Sequence, residues 1–333
     1  MNNKTIYVSI PCLDVDSELV KTIESAIENA NDKSRIYIGI SFMNNKSFFN
    51  HIKEFIKYSK YENISLEYFP SDILNTVNIG RARNSAASLY NNQDYFLQLD
   101  AHTFLNKDWD VNLINHFESA KDFIKNDKVI ISGLPGRYGY KTKSNVRYFW
   151  TENNIKYPQL LANKFRGDDS SRIPEHGDFF PETEFDSEYF LNWKKDVSKY
   201  FPLSKISAAF MFSDKNFASN RMIPDETIFW EEEFIQSIEL VNAGFSLVFL
   251  HKNECVYHLY GQDMDEDLVS HRSNINDLSP DGDNIFKRMA QSYMKYMDDP
   301  LNKEKIEKYI AYSKLDLIEN KQGWQGYPTD FSR

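Results

Sequence analysis

The chain predicts an α/β fold: a mostly parallel sheet with helices on both faces, followed by a C-terminal helical extension. One observation carries the sheet. Short β-rich runs alternate with amphipathic, helix-length segments through the first 135 residues. Strands joined by helices in this way pair in parallel, and both faces of the sheet are then covered. A second observation carries the extension, since from Asn284 onward the chain reads as amphipathic helices.

Taken in order, Ile6-Tyr7-Val8-Ser9-Ile10-Pro11 reads as a first strand stopped by proline. Asp14-Val15-Asp16-Ser17 then supplies N-cap residues for a helix that places Leu19, Ile23, Ile27 and Ala30 on one face. Ile36, Ile38 and Ile40 alternate in a second strand. Phe49, Ile52, Phe55 and Ile56 mark a second helix, and residues 64–69 a third strand. A helix is expected over 81–90 and a fourth strand over 95–99. Trp109, Leu113, Phe117 and Ala120 make the next helix, and 129–132 the next strand. Residues 150–200 break the rhythm with Asp, Glu, Asn, Pro and scattered aromatics, and are expected to form an irregular insertion shaping a site. Regular structure resumes with a strand over 206–212 and a helix over 231–243 stopped by Gly244. Strands follow over 245–250 and 255–259. The expected division is residues 1–283 as the main domain and 284–333 as the tail.

Length and composition narrow the class. With 333 residues, 41% of them hydrophobic, the chain has material for a sizeable core. A net charge of −10 argues against a surface that coats nucleic acid, so a polyanionic partner must be met locally by a metal or a few arginines. Two cysteines far apart, Cys12 and Cys255, argue against a disulfide framework and for a reducing, cytoplasmic setting. No secretory segment and no transmembrane segment is expected, because no apolar run approaches the ~18 residues of a membrane span.

The most telling stretch is Asp94-Tyr95-Phe96-Leu97-Gln98-Leu99-Asp100-Ala101-His102. An apolar strand ends in a carboxylate and an imidazole two residues apart, which project to one side if the extended backbone persists. That pair suits Mn²⁺ or a similar divalent cation, at the strand end where open α/β sheets bind ligands. A surface turn capped by Asp100 is the alternative. His258, in Val256-Tyr257-His258-Leu259-Tyr260, is a candidate third ligand or else a core residue. Arg81 and Arg83 stand at an expected helix N-terminus, where they would clamp a nucleotide's phosphates or bridge to nearby acids. Glu232 and Glu233 open the 231–243 helix, either as capping charges or as acids aimed at sugar or acceptor hydroxyls. Ser9, Pro11 and Asp14, at the end of the first strand, would bind a base or ribose, with N-capping the competing role for Asp14. His51, His116 and His176 read as structural.

In this order, the segments at 8–11, 80–84, 95–110, 206–213, 229–244 and 256–260 resemble a GT-A (Rossmann-like) glycosyltransferase. More narrowly they are similar to the retaining UDP-GlcNAc:protein-hydroxyl N-acetylglucosaminyltransferases of the Skp1 hydroxyproline type. The most specific block is Gln98-Leu99-Asp100-Ala101-His102 followed by Trp109-Asp110. The resemblance implies a UDP-sugar donor, a Mn²⁺ ion held by Asp100, His102 and His258, and a nucleotide pocket at Ser9, Pro11 and Asp14. It puts Arg81 or Arg83 near the diphosphate and makes Glu232 and Glu233 the family's acidic pair. The chain departs from the pattern with Glu231 where a glycine is expected, and with Cys12-Leu13-Asp14 where Tyr-Arg-Asp is usual. The activity implied is retaining transfer of a sugar, GlcNAc by likeness, to a hydroxyl acceptor on protein Ser, Thr or hydroxyproline. Competing readings are a glycan or lipid-linked acceptor, and a non-catalytic module that binds nucleotide sugars or carbohydrate.

Overall fold

The computed structural model describes residues 4–12, 16–43, 45–69, 78–143, 146–152, 164–166, 173–175, 200–203, 205–220, 223–228, 231–250, 253–260 and 285–313. In chain order the elements are β1 (Ile6–Cys12), α1 (Leu19–Glu28), β2 (Ile36–Met43), α2 (Lys46–Ser59), β3 (Ile64–Phe69), α3 (Ile79–Ser88), β4 (Tyr95–Leu99) and β5 (Thr103–Leu105). Next come α4 (Trp109–Ile124), β6 (Val129–Ser132), β7 (Gly136–Lys143), β8 (Val146–Glu152), β9 (Lys164–Arg166), β10 (Ile173–Glu175) and β11 (Tyr200–Pro202). The last are β12 (Phe210–Asp214), α5 (Lys215–Asn220), α6 (Glu231–Asn242), β13 (Ser246–Leu250), β14 (Val256–His258), α7 (Ile285–Met297) and α8 (Lys303–Ser313).

An eight-stranded sheet in the order β11-β13-β6-β12-β4-β1-β2-β3 forms the centre. Strands β3, β2, β1, β4, β6 and β13 share one direction; β12 and β11 run against it. The alternation of side chains sorts these strands into two cores. Ile6, Val8, Leu97, Leu99, Ile131 and Phe212 pack with α1, α2 and α4 on one face. Tyr7, Phe96, Ile130, Met211, Leu247 and Phe249 pack with α6, α7 and α8 on the other. Helices therefore cover both faces, as the sequence predicts. The tail helices share the second core through Tyr293, Ile306 and Tyr309, and Tyr312 donates to the Leu203 carbonyl at 3.1 Å. Residues 314–333, with Trp324 and Tyr327, lie outside the described residues.

Several boundaries differ from the sequence reading, each for a physical reason. The first strand runs past Pro11 to Cys12. Pro11 lies beyond Ser9, the last residue of β1 paired with β4, so its missing N–H costs no bond of that ladder. The expected strand over 206–212 begins instead at Phe210, because Ser207 and Ala208 make a turn: Ser207 N–H donates to Ser132 Oγ at 2.8 Å and Ala208 N–H to Glu233 Oε1 at 2.8 Å. Trp150, expected to open the irregular insertion, lies within β8, antiparallel to β7. Of 153–199, the short β9–β10 pair is described. Gly244 does end α6, with φ at +88°, a conformation that side chains disfavour.

A second sheet, β5-β14-β7-β8, stands beside the first. Its β5 follows β4 after three residues, and its β14 pairs with β5 so that His258 lies opposite Thr103. This register brings a histidine from far along the chain beside the end of β4.

Candidate metal centre and its acid–base neighbours

The site forms at the C-terminal edge of the parallel strands, where chain order reverses between β1 and β4, the place at which open α/β sheets generally leave a crevice. Strand β4 stops at Leu99, and residues 101–102 form a bend rather than continued strand, so alternation is not what aligns Asp100 with His102. Side chains fix the bend. Thr22 Oγ1, on α1, donates to the Ala101 carbonyl at 2.7 Å and accepts from Thr103 N–H at 2.9 Å. Thr103 Oγ1 donates to the Asp100 carbonyl at 2.8 Å. Leu259 N–H donates to the His102 carbonyl at 3.1 Å, tying the β14 end to the same bend.

Asp100, His102 and His258 are thereby brought together, each with a ligand atom within 4.8 Å of the others. Asp100 Oδ2 is 3.2 Å from His258 Nε2, and the two imidazole centroids are 4.6 Å apart. Two donors each ~2.1 Å from one ion at right angles lie ~3 Å apart, so the measured spacing fits a shared cation. One carboxylate with two imidazoles suits Mn²⁺ and its neighbours. The side chains of Asp100 and His102 keep 23% and 16% of their surface accessible, so the set opens to the crevice rather than lying sealed in the core.

A chain of charged groups extends from the set in both directions. His102 Nδ1 is 2.8 Å from Asp16 Oδ2, just ahead of α1. Asp100 Oδ1 accepts from Arg83 Nη2 at 3.0 Å, and Arg83 Nε donates to both oxygens of Glu232 at 2.9 and 3.0 Å. Arg83 Nη1 is buried without a partner among the described residues, as is His258 Nδ1. Burial works against the Asp100 carboxylate, but Arg83, His258 and His102 hold it well below the usual range. Burial depresses His102 too, yet Asp16 and Asp100 raise it above its ordinary value. Burial pushes His258 down, and His102 adds to that against the pull of Asp100. Burial drives Glu232 up to about 7, with Glu233 and Asp100 adding to it and Arg83 pulling it back.

The remaining candidates sort clearly. Of the two arginines, Arg83 joins the site. Arg81 is exposed, its guanidinium 5.3 Å from the Phe69 ring centroid. The α3 N-terminus, expected to cradle phosphate, is committed elsewhere: Gly80 N–H donates to the Thr227 carbonyl at 3.2 Å and Ile79 N–H to that of Ile228 at 3.4 Å. Close packing there requires glycine at 80, because a Cβ would stand 2.2 Å from the Pro224 carbonyl oxygen and 2.1 Å from Thr227 Oγ1. Gly80→Ala is expected to cost about 1–3 kcal/mol by overpacking, read as a lower urea midpoint at unchanged m-value.

Glu231 accepts from Ile228 N–H at 2.5 Å, a capping role. Glu233 forms a buried ion pair with Lys205 and accepts from Ala208 N–H, holding the turn before β12. Glu232 is the acid of this helix that reaches the metal-site chain. Ser9 is fully buried in β1, its Oγ unpartnered among the described residues. Pro11 is buried opposite Ser41. Asp14 lies outside the described residues. Asp16, which sequence reasoning had as an N-cap residue, was missed as a partner of the site. Neither spacing nor residue type signals a contact made across 86 positions.

The family model described as Glycosyltransferase (GlcNAc) matches residues 80–310, a span that includes Arg83, Asp100, His102, Glu232 and His258. No curated protein matches the chain. Among solved structures it is similar to GalNAc-T7 with UDP, GalNAc and Mn²⁺, at 14% identity and a TM-score of 0.46, over 78% of this chain and 44% of that one. It is also similar to S. aureus TarS 1–349 in complex with UDP, at 12% identity and a TM-score of 0.45, over 92% of this chain and 80% of that one. The chain thus spans less than half the length of the GalNAc-T7 chain.

Proposed function

Because this chain belongs to the glycosyltransferase (GlcNAc) family, we propose that it moves GlcNAc from UDP-GlcNAc to a hydroxyl of a protein acceptor, Ser, Thr or hydroxyproline, with retention at the anomeric carbon. The observation that carries this reading is the convergence of Asp100, His102 and His258 at the sheet's C-terminal edge. These three would hold Mn²⁺, which when bound supplies electrophilic stabilisation of the departing diphosphate.

The chain's own residues do the rest. Arg83 orients Asp100 through Nη2 and shares its charge with Glu232, so the carboxylate is set before any ligand arrives. Glu232, which reaches the site through Arg83, is the acid assigned to sugar or acceptor hydroxyls, and Glu233 positions the turn at Ala208. Ser9, Pro11 and Asp14 are assigned to the nucleoside side of the crevice, with Arg83 rather than Arg81 on the diphosphate side. No helix among the described residues is long and apolar enough to cross a membrane. Cys12 and Cys255 are both buried and lie far apart in the sequence, and the reading places the protein in a reducing, cytoplasmic setting. Residues 1–283 are taken as the catalytic unit and 284–333 as its C-terminal extension.

The test is incubation with UDP-GlcNAc, UDP-GalNAc and UDP-glucose, with and without Mn²⁺, following UDP release and the mass of hydroxyl-bearing peptides. The reading predicts Mn²⁺-dependent UDP release that is fastest with UDP-GlcNAc, and a gain of one N-acetylhexosamine on the acceptor. Binding without turnover of any UDP-sugar would contradict it.

The raised Glu232 gives a further expectation. A carboxyl at about 7 in the fold, against an ordinary value of 4.5, keeps a proton that the unfolded chain has released. Stability should therefore fall as pH rises from about 4.5 to 7, by at most about 3 kcal/mol from this group. Glu232→Gln should flatten that part of the profile. Urea midpoints of both proteins at pH 5 and 7.5 check this, and parallel profiles would contradict it.

A further inference from the structure

We propose that Asp16 is a positioning residue for the cation site, acting through His102. The inference rests on the metal reading above and adds to it a residue that no ligand set includes. Asp16 is 4% exposed, and both of its carboxylate oxygens are engaged. Oδ2 stands 2.8 Å from His102 Nδ1, and Oδ1 accepts from Glu18 N–H at 3.0 Å. The second bond fixes the carboxylate's rotamer, so its position is set by the start of α1 and not by the histidine it meets.

That helix is itself tied to the bend carrying Asp100 and His102. Thr22 bonds Ala101 and Thr103, Ser25 Oγ accepts from Leu105 N–H at 3.1 Å, and Asn29 Nδ2 donates to the Leu105 carbonyl at 2.6 Å. Two turns of α1 and the residue that caps its end thus hold one edge of the site, and Asp16 is the point at which that support reaches a ligand's side chain. An acceptor at Nδ1 puts the proton on that nitrogen and directs the lone pair of Nε2 to the cation. It also fixes the ring plane, which leaves less freedom to lose when the ion binds.

Asp16→Ala removes the acceptor. Asp16→Asn keeps an oxygen for Nδ1–H but removes the charge and turns its N–H₂ toward Glu18 N–H, where the second oxygen had accepted. The probe is Mn²⁺ itself, titrated into each protein without nucleotide and followed by the loss of the free-ion electron paramagnetic resonance signal. Melting curves without metal confirm that each variant is folded. Asp16→Ala is expected to weaken Mn²⁺ binding about 10- to 100-fold, with Asp16→Asn closer to wild type than to the alanine variant.

Wild-type-like affinity in a folded Asp16→Ala protein would overturn the proposal while leaving the ligand set intact. An asparagine variant that binds Mn²⁺ no better than the alanine variant would also overturn it, because an acceptor kept at Nδ1 would then add nothing to the affinity. Wild-type protein that takes up no Mn²⁺ would overturn the metal reading and this proposal with it.

Discussion

Asp100→Asn should lower Mn²⁺-dependent UDP-sugar turnover about a thousandfold, some 4 kcal/mol of transition-state stabilisation. The substitution is nearly isosteric, so packing is spared and chemistry takes the loss. Asp100 is the one carboxylate among the three convergent side chains; its Oδ1 accepts from Arg83 Nη2 at 3.0 Å, and its Oδ2 lies 3.2 Å from His258 Nε2. An amide offers one oxygen and one N–H₂ group, so one neighbour meets a donor where it had an acceptor. The ligand set loses its formal negative charge as well. Steady-state UDP release, measured beside a Mn²⁺ titration, checks the expectation. Turnover within tenfold of wild type would remove Asp100 from the centre of the mechanism.

Asp110→Ala should destabilise the fold by about 3–5 kcal/mol while leaving the site's residues untouched. Asp110 is fully buried in the first turn of α4. Its carboxylate accepts from Arg35 Nε at 2.8 Å, from Asn31 N–H at 2.8 Å and from Asp32 N–H at 3.3 Å. Truncation leaves a buried guanidinium and two backbone N–H groups without their acceptor, the costly way to break such a network. Beside it Trp109, fully buried, donates its indole N–H to the Ala26 carbonyl at 3.0 Å. The Trp109-Asp110 pair that marks the family likeness thus clamps α4 to α1 and to the α1–β2 connection. Urea unfolding checks this, and a loss below 1 kcal/mol would contradict it.

The fold was legible because its strands bury both faces. Ile6 and Val8 to one side and Tyr7 to the other are the same alternation that assigns the two cores. Helices were legible where apolar spacing was regular, as at Leu113, Phe117 and Ala120 of α4. Less legible was any segment whose small or polar residues serve partners far along the chain. Ser207 and Ala208 read as strand, yet their N–H groups go to Ser132 and Glu233. The α3 N-terminus read as an anion site, yet the carbonyls of Thr227 and Ile228 take its donors.

At the site, residue types were readable and pairings were not. Asp100, His102 and His258 stood out as ligand types, but their approach depends on the β5–β14 register and on a bend held by Thr22 and Thr103. Arg83 and Arg81 are equivalent in composition, and the helix's rotation decides between them. Asp16 was hidden among N-cap residues, since its bond to His102 arises when α1 docks on that bend.

The central claim is that one divalent cation is gripped by Asp100, His102 and His258. A crystal soaked in Mn²⁺ and measured for anomalous scattering tests it most directly. The account predicts a single strong peak bonded to a carboxylate oxygen of Asp100 and to one ring nitrogen of each histidine. A peak that misses any of the three, or density showing the imidazoles turned away from each other with no ion between them, would contradict it.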